Sequence, residues 1–156
     1  MNAKADDPGL VAQAPGSLIQ LALIAAMLDI AKIGIAKISK ADLGGAKVNF
    51  RGIEQAMNEM SGVLIRHGIT VTPRYSDLTI TDRAKEQAGK FTRFVTVKGS
   101  FTFAAKDNSH IVCECYGEAM DSGDKATTKA QSVAFRTALF QQFVVPTMAI
   151  DRKSVV

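Results

Sequence analysis

The chain contains no tryptophan, and only 6% of its 156 residues are aromatic. Any stacking of nucleobases would therefore fall to Phe or Tyr. Cysteine is almost as scarce: Cys113 and Cys115 are the only two, and they stand two positions apart. On a strand they point to the same face. No His or further Cys lies at ligand spacing, which argues against zinc. The expectation is two small buried thiols, which suit a reducing compartment. A GxxxxGK[ST] loop is missing, so ATP hydrolysis has no support; Gly123-Asp124-Lys125 reproduces only a fragment of it. Long apolar runs are missing too. Leu18 to Ile30 is apolar, but Asp29, Lys32 and Lys37 interrupt it, well short of the ~20 residues that a membrane helix needs. No secretory signal and no internal repeat are read.

What is present fits one globular domain. Hydrophobic residues make up 47% and charged residues 22%, ordinary values for a packed core with a wetted surface. The net charge of +4 permits nucleic acid as a partner without requiring it.

The first 16 residues hold Asp6, Asp7, Pro8, Gly9, Pro15 and Gly16 without periodicity, and read as a flexible tail. A first helix is expected from Ser17, as N-cap, to about Ser39. Its apolar residues run nearly all the way round, so it has to be covered by a sheet or by a neighbouring subunit. A glycine-containing loop is expected over Lys40–Val48. The second helix is placed at about Phe50–His67, where Phe50, Ile53, Met57, Met60, Leu64 and His67 repeat at helical spacing, with Gly68 as terminator.

Three extended segments follow. Ile69, Val71, Pro73 and Tyr75 alternate, then the phase slips at Ser76-Asp77, as a bulge would make it do. Asp82 to Gly89 reads as a polar loop. Phe91, Val95, Val97, Phe101 and Phe103 mark one face of a strand over Lys90–Ala105. After a turn at Lys106–Ser109, Ile111, Cys113 and Cys115 continue the alternation in a partner strand. A last helix is expected over about Asp124–Phe143, ending before Pro146. The fold class is therefore α+β: two N-terminal helices, a three-stranded antiparallel sheet and a long C-terminal helix packed on one sheet face. The core domain is placed at residues 17–148, with a C-terminal tail at 149–156.

The last helix carries the most chemistry. Lys125, Lys129, Ser132 and Arg136 fall at steps of 4, 3 and 4 and share one face. At about 1.5 Å per residue the stripe is roughly 16 Å long, enough to follow a few nucleotides of extended strand. Thr127 and Thr128 lie in the first turn, where hydroxyls and free amides can hold a phosphate. Lys98 projects from the strand face opposite Phe101, a possible DNA side of the sheet. Arg66, Arg74 and Arg93 are weaker candidates. Arg93 shares the apolar face and needs a partner there, or else a groove or neighbour. Glu114, Glu118, Asp121 and Asp124 form an acidic run that admits two readings: a two-metal nuclease site, or turn caps and ion-pair partners. His67 and His110 are isolated.

The stretch Gly117–Thr147, GEAMDSGDKATTKAQSVAFRTALFQQFVVPT, resembles the C-terminal core motif of the ERF (essential recombination function) family of phage single-strand annealing proteins. Val48-Asn49-Phe50-Arg51-Gly52-Ile53 through Arg66-His67-Gly68-Ile69 is similar to that family's N-terminal helix. The resemblance spans roughly residues 18–148 and is weakest between Ser76 and Ala88. It implies a β-β-β-α annealing core and ATP-independent annealing of complementary single strands in recombination. It also implies no cofactor and no covalent chemistry. Arg51, at the head of the second helix, would help line the DNA groove with Lys98, Lys125, Thr127, Lys129 and Arg136. Implied partners are single-stranded DNA, the annealed duplex and further copies of the chain in a ring or filament. A phage exonuclease or a host single-strand binding protein are further candidates, and a bacterial cytoplasm is the expected location. ERF relatives often continue past the core, so the chain is expected to be short or truncated. Two rival readings stay open: a metal-dependent nuclease built on the acidic run, and a structural protein that uses its apolar first helix to assemble.

Overall fold

The computed structural model describes residues 16–33, 39–43, 46–50 and 53–146. Arg51, residues 1–15 of the expected N-terminal tail, the expected C-terminal tail and the side chains of residues 39–50 lie outside the described residues. The element order is α1 (Leu18–Ile33), β1 (Ser39–Leu43), β2 (Ala46–Phe50), α2 (Ile53–Arg66), β3 (Thr70–Ala84), β4 (Phe91–Ala104), β5 (His110–Asp121) and α3 (Ala126–Gln142). β3, β4 and β5 form one antiparallel sheet with β4 in the centre, and β1 pairs with β2 in a separate antiparallel hairpin. The expected α+β class is what the chain adopts.

Three boundaries differ from expectation. The first helix is described over Leu18–Ile33 and does not reach Ser39, which begins β1. The expected loop at Lys40–Val48 is instead the β1–β2 hairpin, with Leu43 opposite Ala46 and Ser39 opposite Phe50. The Gly44-Gly45 dipeptide between these strands is a hairpin signal that the loop reading passed over. β3 continues through Asp82 to Ala84, where a polar loop was expected, because Asp82 pairs with Arg93 across the ladder.

The sheet has one buried face. Val95, Val97, Phe101 and Phe103 point into it at 2% exposure or less. Phe101 stacks on Phe135 of α3, and Phe103 meets Phe143 edge-on. Helix α1 adds Ile19, Leu23, Ala26 and Ile30, a stripe at helical spacing, and α2 adds Met60 and Val63. The α2 stripe is thus rotated from the expected one: Val63 is buried, and Met57 is 45% exposed. At the start of α1 the Ile19 N–H donates to Ser109 Oγ in the β4–β5 turn (2.9 Å), a capping role that sequence reasoning assigns to Ser17.

Helices α2 and α3 end alike. At α2, Ile69 N–H donates to Leu64 O and Gly68 N–H to Ile65 O, with Gly68 at φ 64°. At α3, Val145 N–H donates to Phe140 O and Val144 N–H to Gln141 O, with Val144 at φ 47°. Both are Schellman closures. Glycine meets the left-handed backbone without strain at α2; a β-branched residue has to bear it at α3. Asp29 joins α1 to the end of α2, since Arg66 donates two bonds to its Oδ2 and His67 Nε2 lies 3.1 Å away.

The expected phase slip is present as a register shift between Ser76 and Thr79, with Asp77 at φ 51°. It exchanges the parity of β3. Thr70, Thr72, Arg74 and Ser76 share the outer sheet face before it, and Thr79, Thr81 and Arg83 share that face after it. Among the described residues, no outer-face side chain belongs to either buried cluster.

Candidate nucleic-acid interface

Four alanines set the position of α3. Ala126, Ala130, Ala134 and Ala138 recur every fourth residue and are at most 1% exposed, facing the sheet. Such a stripe lets a helix come close, and Gly117 of β5 receives it. Cys115 Sγ donates to Ala134 O at 3.0 Å, and the Tyr75 hydroxyl lies 3.5 Å from Gln131 O. Burial pushes both the Tyr75 hydroxyl and the Cys115 thiol up, which keeps them protonated as donors.

This seat turns the basic stripe toward the β5 side. Lys125, Thr128, Lys129, Ser132, Val133 and Arg136 of α3, with Ala119 of β5, line one groove of about 530 Å³. The structure thus brings together Lys125, Lys129, Ser132 and Arg136. Thr128, not Thr127, lines the groove with them. Sequence periodicity finds the cations but misses the apolar floor of Ala119 and Val133, because the floor depends on how closely the helix sits on the sheet.

Lys129 Nζ is bonded to Asp121 Oδ2 in the groove wall. The Lys129 ammonium, followed by the Gly123 N–H on Oδ1 at 2.6 Å, holds the Asp121 carboxyl below its ordinary value of 3.8. Asp121 therefore caps the turn that precedes α3. Lys125 itself occupies the N-cap position and its side chain makes no capping bond to the helix; the Lys125 N–H is directed at the Asp121 carboxylate instead.

The remaining candidates lie elsewhere. Lys98 stands on the outer sheet face, opposite to α3, and bonds Glu114 Oε2 at 2.9 Å; that carboxylate raises the Lys98 ammonium. Arg93 makes a two-pronged bond to Asp82 (2.8 Å each), the partner that its position on the apolar face called for. Arg66 is engaged with Asp29. Of the acidic run, Glu114 and Glu118 project from the outer face with their cross-strand partners Ser100 and Thr96, whereas Asp121 is on the α3 side. The carboxylates do not converge. Among the described residues, no three His, Cys, Asp or Glu side chains gather as a metal site would require, and no helix is long and apolar enough to cross a membrane.

Fold and groove define an α+β protein whose C-terminal helix borders a basic groove with an apolar floor. A family model described as the ERF superfamily matches residues 24–154, most of the chain, and the protein belongs to that family. The match starts at Ile24 within α1 and takes in the sheet and the whole of the groove-lining helix. Family membership points to a role in phage recombination, in a family generally of annealing proteins and not of enzymes. No curated protein sequence matches the chain.

Proposed function

We propose that this protein binds single-stranded DNA and anneals complementary strands without ATP. The observation that carries the reading is the convergence of Lys125, Lys129 and Arg136 with Ser132 and Thr128 along one groove. Cations in a row neutralise successive phosphates and release their counterions, which gives affinity without sequence preference. The N-terminus of α3 adds its helix dipole, favourable to a phosphate, at one end of the track. A backbone held in this way leaves its bases open, and pairing with a complementary strand supplies the driving force. Arg51 and Lys98 extend the proposal: Arg51 at the head of α2, and Lys98 as a contact on the other side of the sheet.

The active form is proposed to be a ring or filament. Leu21, Ile24 and Leu28 share one face of α1 and are 55%, 58% and 58% exposed, an apolar stripe suited to a neighbouring copy. Adjacent grooves would then join into a continuous track. An exonuclease or a single-strand binding protein would act on the same DNA.

Two complementary labelled strands, mixed with the protein in EDTA without nucleotide, test the proposal. Annealing faster than the protein-free rate is the expected outcome. An unchanged rate, or strand cleavage on adding magnesium, contradicts it.

A further inference from the structure

The sheet face turned away from α3 has a composition that the groove does not account for. Tyr116 and Met120 of β5 stand on it at 62% and 63% exposure. Their cross-strand partners are Lys98 and Phe94 of β4. On the other side of Phe94, Arg83 lays its guanidinium over the ring at 4.6 Å. Arg74 and Lys98 add two more cations to the same face, with Thr72, Ser76, Thr96, Ser100 and Thr102 between them; Glu114 and Glu118 flank Tyr116 on β5, and Glu114 is ion-paired to Lys98, so a bound strand has to draw Lys98 away from it. A protein-binding face would bury its large apolar groups side by side in one patch. Here Tyr116 stands apart from the Phe94–Met120 pair, with charged side chains and hydroxyls between them.

We infer that this outer face is a base-stacking platform for single-stranded nucleic acid, with Tyr116 as its principal ring. The inference rests on the single-strand binding proposed above and extends it from phosphates to bases. Tyr116 and Phe94 are four ladder positions apart, about 13 Å along the strands, a span of roughly two extended nucleotides. Arg83 holds a planar cation on Phe94, so that end offers a stacking surface as well as a charge. Arg74 and Lys98 lie within reach of the phosphates of a strand stacked on the rings. Stacking tolerates any base, because every base has a π face. It therefore suits a protein that must accept all sequences, and it adds affinity that salt does not screen.

The chain offers a direct readout, because it has no tryptophan and only two tyrosines. Tyr75 is held on the inner side against Phe101, so Tyr116 is the ring open to a stacked base. Titration with oligothymidylate should quench the intrinsic tyrosine fluorescence. Tyr116→Phe should remove the quench and bind nearly as well, because the ring remains. Tyr116→Ala should bind about tenfold more weakly, with an unchanged salt slope and an unchanged circular dichroism spectrum. Binding in a gel shift without a quench, and with Tyr116→Ala at full affinity, would overturn the platform and leave the groove reading intact. Absence of any binding would overturn both. If Tyr116→Ala changes the sedimentation of the free protein but not its affinity, the face belongs to a second copy and the inference is wrong.

Discussion

A Cβ added to Gly117 would lie 2.0 Å from the carbonyl oxygen of Ala130 and 2.7 Å from the backbone nitrogen of Ala134. Both neighbours are main-chain atoms of α3, so no rotamer change relieves the clash. This contact sets how deep α3 sits, and with it how the basic stripe meets Ala119. Gly117→Ala should destabilise the fold by about 3 kcal/mol, the upper end for overpacking, because a helix has to move. The urea midpoint reports it; a midpoint equal to that of the unmodified protein would mean that α3 is not seated on β5 in this way.

The pairing of Lys129 with Asp121 makes a second expectation. The carboxylate engages Lys129 in the free protein, and DNA has to displace it. In Asp121→Asn the amide oxygen can still accept from the Gly123 N–H, so the turn keeps its cap, but Lys129 is released. Affinity for single-stranded DNA should rise, by up to about tenfold at low salt, with the salt slope of the unmodified protein, because Lys129 meets its phosphate in both complexes. Fluorescence anisotropy across a salt series measures both quantities. Weaker binding by a folded variant would show instead that Asp121 serves to aim Lys129.

Val144 holds a left-handed backbone that costs a non-glycine residue about 1–2 kcal/mol, and Gly68 occupies the equivalent place at the end of α2. The Val144 side chain is 70% exposed and adds little packing. Val144→Gly should raise stability by about 1 kcal/mol, since part of the relief is offset by greater freedom in the unfolded chain. A calorimetric midpoint that falls would show that the Val144 side chain contributes more to the fold than its exposure implies.

The fold was legible wherever one periodicity dominated. The alternation of Val95, Val97, Phe101 and Phe103 marked the buried strand face, and the slip after Ser76 marked the bulge. Gly68 marked the end of α2. The β1–β2 hairpin was missed because Ser39–Phe50 has few strongly β-forming residues, and only the Gly-Gly pair hinted at it. At the site, the stripe from Lys125 to Arg136 followed from helical spacing alone. Asp121 as the partner of Lys129 did not, since it depends on the turn at Ser122–Asp124 folding back onto α3. Nor did the meeting of Arg83 with Phe94, because the register shift in β3 decides which face Arg83 takes.

The central claim is that the flank of α3 is a phosphate track. The most direct measurement is the salt dependence of single-stranded DNA binding by the variant with Lys125, Lys129 and Arg136 all changed to Ala. With three phosphate contacts removed, the slope of log affinity against log salt should fall by about two, at about 0.7 per contact, while the circular dichroism spectrum stays that of the folded protein. A folded triple variant that binds with the slope of the unmodified protein would place the DNA elsewhere and contradict the account.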